Sequence, residues 1–190
     1  ADSGATNFTD ADDLVIEGSG VAGINIFTGT SSAGQINFGD SGANERGKLK
    51  YDHNGDYMVL HTNSAEALRI DSIGAVTKPL QPAVLAVPNA TQNDMATGWV
   101  TIVFGSEVYD VNADFNTSTS TFTAPVTGKY MVTANVDLSD IDTDTQWMYG
   151  GIFVTSNRTY YMNLVDPRKE YSADNNSSFS SAAIVDMDAS

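Results

Sequence analysis

Four carboxylates crowd one short stretch of this 190-residue chain: Asp137, then Asp140, Asp142 and Asp144 in Ser-Asp-Ile-Asp-Thr-Asp-Thr. Clustered hard oxygen donors suit calcium, so Asp137, Asp140, Asp142 and Asp144 are the candidate metal ligands and calcium the candidate cofactor. The spacing is not that of an EF-hand, which would need glycine at 145 and glutamate at 151, where Thr145 and Gly151 stand. Without an ion, the same residues make a solvated acidic loop between two strands.

A second cluster follows at once: Trp147, Tyr149, Arg158, Tyr160, Tyr161, Arg168, Lys169 and Tyr171. Aromatic side chains and arginine are enriched where binding energy concentrates. Alternation assigns part of the cluster to packing, with Tyr160 grouped with Met162 and Leu164, and Tyr161 with Asn163 and Val165. Arg158, Tyr161, Arg168, Lys169 and Tyr171 are therefore the candidate binding residues. The C-terminal part, 81–190, carries a net charge of −9 by count, yet three of the nine basic residues of the chain fall within 158–169. Such a local basic and aromatic patch suits anionic or stacking groups of surface sugars.

Other constellations lead to blander readings. Gly39-Asp40-Ser41-Gly42 shows a serine in a glycine-framed turn, but a nucleophile needs a histidine hydrogen-bonded to it and a carboxylate behind that histidine. Only His53 and His61 are present, and both read as ordinary surface residues flanking a hairpin. A glycosidase needs two carboxylates facing across a cleft, and 24 acidic residues offer many pairs with nothing to single one out. Catalytic residues are expected to be none.

A net charge of −15 repels a phosphate backbone or an anionic membrane surface, so nucleic acid is not an expected partner. No apolar run approaches the roughly 20 residues of a membrane span, and no membrane insertion is expected. With no cysteine, disulfides and thiolate metal sites are excluded. Six Asn-X-Ser/Thr sequons match chance in so Asn-, Ser- and Thr-rich a chain.

The elements that must carry these residues are strands. Tyr130, Val132, Ala134, Val136 and Leu138 alternate with Met131, Thr133, Asn135 and Asp137, a period of two with one buried face. Further strands are expected at Pro82–Val87, Trp99–Tyr109, around Phe122, at Gln146–Thr155, Thr159–Val165 and Ser177–Met187. No stretch carries a helical stripe. Residues 1–80 differ in kind: they hold 11 of the 16 glycines and 5 of the 18 aromatics. Short strand-like pieces recur there at Leu14–Glu17, Gly23–Thr28, Gly34–Phe38, Gly47–Tyr51, Asp56–His61 and Glu66–Ile70, with Asn54-Gly55 as a hairpin signal. The pieces have little to make a private core, which points to several chains closing one another's edges. The boundary is placed at Lys78-Pro79-Leu80-Gln81-Pro82.

Phe104, Asp110, Phe115, Phe122, Gly128 and Tyr130 match, in register over 27 residues, an aromatic–Asp–Gly-X-Tyr signature. By it the C-terminal part resembles the globular head of the complement first-component q family, related to the tumour necrosis factor jelly rolls. The family continues with aromatics where Val132 and Ala134 stand here. Gly39 to His53, followed by Glu66 to Val76, is similar to the shaft repeats of bacteriophage tail fibres and tail spikes. The resemblance implies an all-β homotrimer: a fibre shaft over 1–80 with short β-strands and turns, and a jelly-roll β-sandwich head over 81–190 whose C-terminal strands lie beyond Ser190. It implies a structural, receptor-binding tail-fibre protein in the virion tail that attaches to a host surface glycan or protein receptor and joins other virion tail proteins. The alternatives are a secreted adhesin or cell-surface filament subunit with the same head, and, more remotely, a glycan-degrading tail spike.

Overall fold

The computed structural model describes residues 14–142, 144–166 and 175–189. The described residues contain no helix, and every ladder is antiparallel. The chain divides into two compact units, Ala1–Leu80 and Gln81–Ser190.

The first unit is a single five-stranded meander: β1 (Ala33–Asp40), β2 (Ala43–Asp52), β3 (Tyr57–Thr62), β4 (Ala65–Ile70) and β5 (Val76–Thr77), hydrogen-bonded in that order. Local chemistry sets each turn. The Asp40 carboxylate accepts the amides of Gly42 and Ala43 at 2.7 and 2.9 Å, and a side chain at Gly39 would meet the Asn44 backbone at 2.7 Å. Asn63 and Ser64 make a two-residue loop with φ of 48° and 63°, as the tightest right-twisted hairpins require. The Asp71 carboxylate takes the amides of Ile73 and Ala75. Asn54-Gly55 does lie in a turn, but within the longer loop 53–56, where Gly55 and Asp56 carry the positive φ angles. The strand pieces foreseen at Leu14–Glu17 and Gly23–Thr28 are not strands: no ladder forms there, and Ile24, Ile26 and Phe27 stay exposed. Their alternation has no partner strand among the described residues to satisfy it.

Register sorts the sheet into two unlike faces. One cross-strand row is Ile36, Leu49, Leu60 and Leu68, and the next is Tyr51, Met58, Ile70 and Val76. This apolar face is largely bare, with Ile36, Phe38, Met58, Leu60 and Val76 all exposed. A shallow depression of about 270 Å³ on it is lined by Ile26, Ile36, Leu49, Tyr51, His53 and Met58. The opposite face pairs Gln35, Lys50, Val59 and Arg69. There Val59 is fully buried among polar neighbours. The Arg69 guanidinium lies 4.0 Å from the centre of the Tyr57 ring and forks onto Glu66, with Nε–Oε1 at 2.8 Å. The Tyr57 hydroxyl donates to Asp52 at 3.0 Å.

These contacts hold two carboxylates below their usual range: Glu66 through the Arg69 hydrogen bonds and charge, and Asp52 through the Tyr57 hydroxyl, the Asn54 amide and Lys50. A lowered folded-state pKa contributes stability that is complete above the free-carboxylate range of about 4 and disappears as the pH falls through the lowered values. Circular dichroism of the sheet should hold from neutrality to about pH 5 and decay below about pH 4. Glu66→Gln should flatten that decay. An acid transition identical in the variant would show that this pair does not set it.

Among the described residues the second unit comprises four two-stranded ribbons: β6 (Val84–Val87) with β7 (Ser106–Asp110), β8 (Phe115–Asn116) with β9 (Thr121–Phe122), β10 (Gly128–Leu138) with β13 (Ser177–Met187), and β11 (Met148–Val154) with β12 (Thr159–Val165). β10 and β13 pair over their full length, from Gly128–Met187 to Leu138–Ser177. Their inner face carries Tyr130, Val132, Val136, Phe179, Val185 and Met187, and Phe179 and Val185 are buried. The strand expected at Trp99–Tyr109 is confined to Ser106–Asp110. Upstream, the Gln92 side-chain amide donates to the Thr101 carbonyl at 2.9 Å and accepts the Val103 amide at 3.1 Å, doing for that backbone what a neighbouring strand would do.

Four of the six signature residues, Asp110, Phe115, Phe122 and Tyr130, form a connected local network. The Asp110 carboxylate accepts the amides of Asp114 and Phe115 at 3.1 and 2.8 Å, closing the turn in which Ala113 takes φ 57°. Phe115 pairs with Phe122 across β8–β9, and Phe122 meets Tyr130 edge-on at 5.6 Å. The Phe104 amide donates to Ser120 at 2.9 Å, and the Tyr130 hydroxyl to the Val126 carbonyl at 2.7 Å. The spacing of the signature thus has a physical reason in this chain: a carboxylate-closed turn delivers two phenylalanines to the start of β10.

Candidate receptor-binding surface

The β11–β12 hairpin is fastened to β13 on one side. Gly150 is buried against Phe179 so closely that an added Cβ would overlap the ring, 2.2 Å from Cδ1. The Asn163 amide donates to the Ser180 carbonyl at 3.0 Å and to the Ser181 hydroxyl at 2.9 Å. The Asp186 amide donates to the Tyr160 hydroxyl at 2.8 Å. Asn163 takes φ 45°, and beyond it the alternation of β12 slips. Leu164 joins Tyr161 among the exposed residues rather than following Tyr160 and Met162 inward. The grouping of Leu164 with Tyr160 read from strict alternation is corrected by this one left-handed residue.

Four aromatic rings gather on the same hairpin. Tyr149 lies at the centre, with ring centroids at 5.4 Å to Tyr161, 5.6 Å to Trp99 and 6.1 Å to Trp147; Trp99 and Tyr161 are 6.3 Å apart. These are the separations of interacting aromatic pairs. The planes are tilted between 34° and 80°, so no ring covers another face to face. Trp99, Trp147 and Tyr161 remain 70%, 63% and 60% exposed. A contiguous exposed patch of large apolar side chains marks a place of interaction more often than an accident of surface.

Of the candidate receptor-binding residues, Tyr161 belongs to this patch. Arg158 is exposed in the β11–β12 turn, whose backbone is closed by Thr155: its amide donates to the Arg158 carbonyl at 3.0 Å and its hydroxyl accepts the Arg158 amide at 3.2 Å. Arg168, Lys169 and Tyr171 lie outside the described residues. Trp147 and Tyr149 belong to the sequence cluster but fall outside the candidate set, and Trp99 is in the sequence only the start of an expected strand. Local sequence gave no signal for Trp99, which joins rings some fifty positions away through folding alone.

The acidic stretch is not drawn into a cage. Asp137 points outward on β10, Asp140 takes φ 53°, and the Asp142 carboxylate accepts the Asp144 amide at 2.9 Å. Among the described residues no group of three or more acidic, cysteine or histidine side chains is placed to hold a metal ion, and Asp137, Asp140, Asp142 and Asp144 are not gathered into such a group. Ser41 occupies the β1–β2 turn, and His53 follows the far end of the ten-residue β2, on the order of 30 Å away at the usual rise of a strand. His61 pairs with Lys48 in the middle of that strand. Neither histidine of the same chain reaches the Ser41 hydroxyl.

No family model matches this chain, and neither a curated protein nor a solved structure matches it.

Proposed function

We propose that this chain is a structural and receptor-binding subunit of a bacteriophage tail fibre, a homotrimer with residues 1–80 as shaft and 81–190 as a jelly-roll head that attaches the virion to its host. The observation that carries the proposal is how little apolar surface the chain covers by itself. Hydrophobic residues make up 41% of the sequence, yet among the described residues only Val59, Ala124, Phe179 and Val185 are buried apolar side chains. Burying one large side chain contributes about 1.5–3 kcal/mol. Four such residues cannot offset the chain entropy of two units of this size. Further copies around a closed axis would cover the bare face of β1–β5 and leave no edge open. The exposed aromatic patch supplies the second half of the reading, a surface for attachment.

Light scattering on the purified chain should give three times 20.2 kDa. Gold-labelled antibody against the chain should decorate the tails of purified virions. A stable monomer at micromolar concentration would refute the assembly. Label confined to a bacterial surface or filament would assign the protein to the secreted adhesins instead.

A further inference from the structure

We infer that Trp99, Trp147, Tyr149 and Tyr161 form a binding site for a neutral saccharide, with sugar C–H faces packed on the rings and sugar hydroxyls bonded to the indole and phenol tips. This deepens the attachment reading, on which it rests, by naming the chemical class of the receptor.

The polar tips distinguish this patch from most of the other tyrosines; Tyr109, 52% exposed on β7, is the one described tyrosine outside the patch whose hydroxyl is also unengaged. The hydroxyls of Tyr51, Tyr57, Tyr130 and Tyr160 are all engaged inside the chain, with Asp56, Asp52, the Val126 carbonyl and the Asp186 amide. Among the described residues, the hydroxyls of Tyr149 and Tyr161 and the indole N–H groups of Trp99 and Trp147 have no such partner. A patch meant only to meet an apolar surface would desolvate four unpaired polar groups on binding, which is unfavourable. A pyranose answers both needs at once, since it has apolar C–H faces and a rim of hydroxyls that donate and accept. Ligand sites generally combine aromatic walls with a few placed polar groups in this way.

Net charge favours the neutral class, although Arg158 stands in the turn of the same hairpin. The C-terminal part carries a net charge of −9 by count, which works against uronic or sialic acids approaching the rings. Rigidity favours the site as well. The Gly150–Phe179 contact and the Asn163 hydrogen bonds hold the hairpin on β13, so the rings of Tyr149 and Tyr161 are positioned before a ligand arrives.

The chain contains two tryptophans, Trp99 and Trp147, and both belong to the patch, so intrinsic tryptophan emission reads this site alone. The purified chain should be titrated with maltohexaose, cellohexaose, mannohexaose, chitohexaose and galactohexaose, with polygalacturonate as the anionic comparison. At least one neutral oligosaccharide should give a saturable blue shift. Tyr161→Ala and Trp147→Ala should each weaken binding by at least about tenfold, with circular dichroism and mass unchanged. Three results would overturn the inference: no saturable change with any neutral sugar, a response to polygalacturonate alone, or an emission shift on protein dilution without sugar, which would make the patch a subunit interface. Saccharide binding by a chain absent from virions would leave this site standing and remove the tail-fibre reading. A virion-borne chain that no sugar perturbs would do the reverse.

Discussion

Phe179→Ala lowers the stability of the C-terminal unit by about 3–5 kcal/mol, the range for removing a buried phenylalanine. Phe179 is 7% exposed, lies on the inner face of β13 opposite Val136, and fills the space that Gly150 leaves by having no side chain. The ring therefore does two things: it supplies much of the small apolar core of this unit, and it seats β11–β12 on β13. Gly150→Ala should cost about 1–3 kcal/mol by overpacking, because the new methyl would occupy the ring position and the backbone of β11 would have to move. The pair is coupled through one volume, so the two losses should not add. In the Phe179→Ala background, Gly150→Ala should become nearly neutral. Urea unfolding followed by tryptophan emission reports this unit specifically, since Trp99 and Trp147 both fall within 81–190. Additive losses, or a Phe179→Ala midpoint equal to that of the parent chain, would mean that the hairpin does not depend on this contact.

Where the sequence could be read, one face of a strand was repeated often enough to be unambiguous. The alternation from Tyr130 to Leu138 and the strand expected at Ser177–Met187 correspond to the paired strands β10 and β13, which run eleven residues each. What could not be read depended on partners distant in sequence. Gly23–Thr28 has the composition and period of a strand, but a strand exists only with a ladder, and the described residues offer it none. Thr101 and Val103 look equally strand-like, and the partner they found is the Gln92 amide rather than a backbone. The Asn54-Gly55 pair drew attention as a hairpin turn, whereas the two-residue turn with both φ positive fell on Asn63-Ser64. Both pairs contain residues that tolerate the left-handed region, and strand pairing decided which had to adopt it. The candidate site shows the same division. Tyr161 was visible as part of an aromatic run, while its grouping with Trp99 required the hairpin and the 88–105 segment to be folded together.

Ile36→Lys combined with Leu60→Lys should dissociate the proposed trimer, reducing the mass by light scattering from three chains to one. Ile36 and Leu60 lie on the row that crosses the sheet through Leu49 and Leu68, and both are exposed within the chain. In an isolated chain, two lysines there would meet water, and surface substitutions of that kind change stability by less than about 0.5 kcal/mol. In an assembly that covers this face, each chain would forgo about 1.5–3 kcal/mol of burial per site and would also desolvate unpaired ammonium groups at several kcal/mol apiece. Counted over three chains, that exceeds what an interface of ordinary size can absorb. Gln35→Lys is the matching control, one residue away in β1 but on the opposite face, in the row of Lys50, Val59 and Arg69. It adds the same charge to the same strand and should leave the mass unchanged. If the double variant keeps the parent mass, the apolar face of β1–β5 is not where the chains meet. If Gln35→Lys dissociates the assembly instead, the chains meet through the face that carries Arg69 and Tyr57.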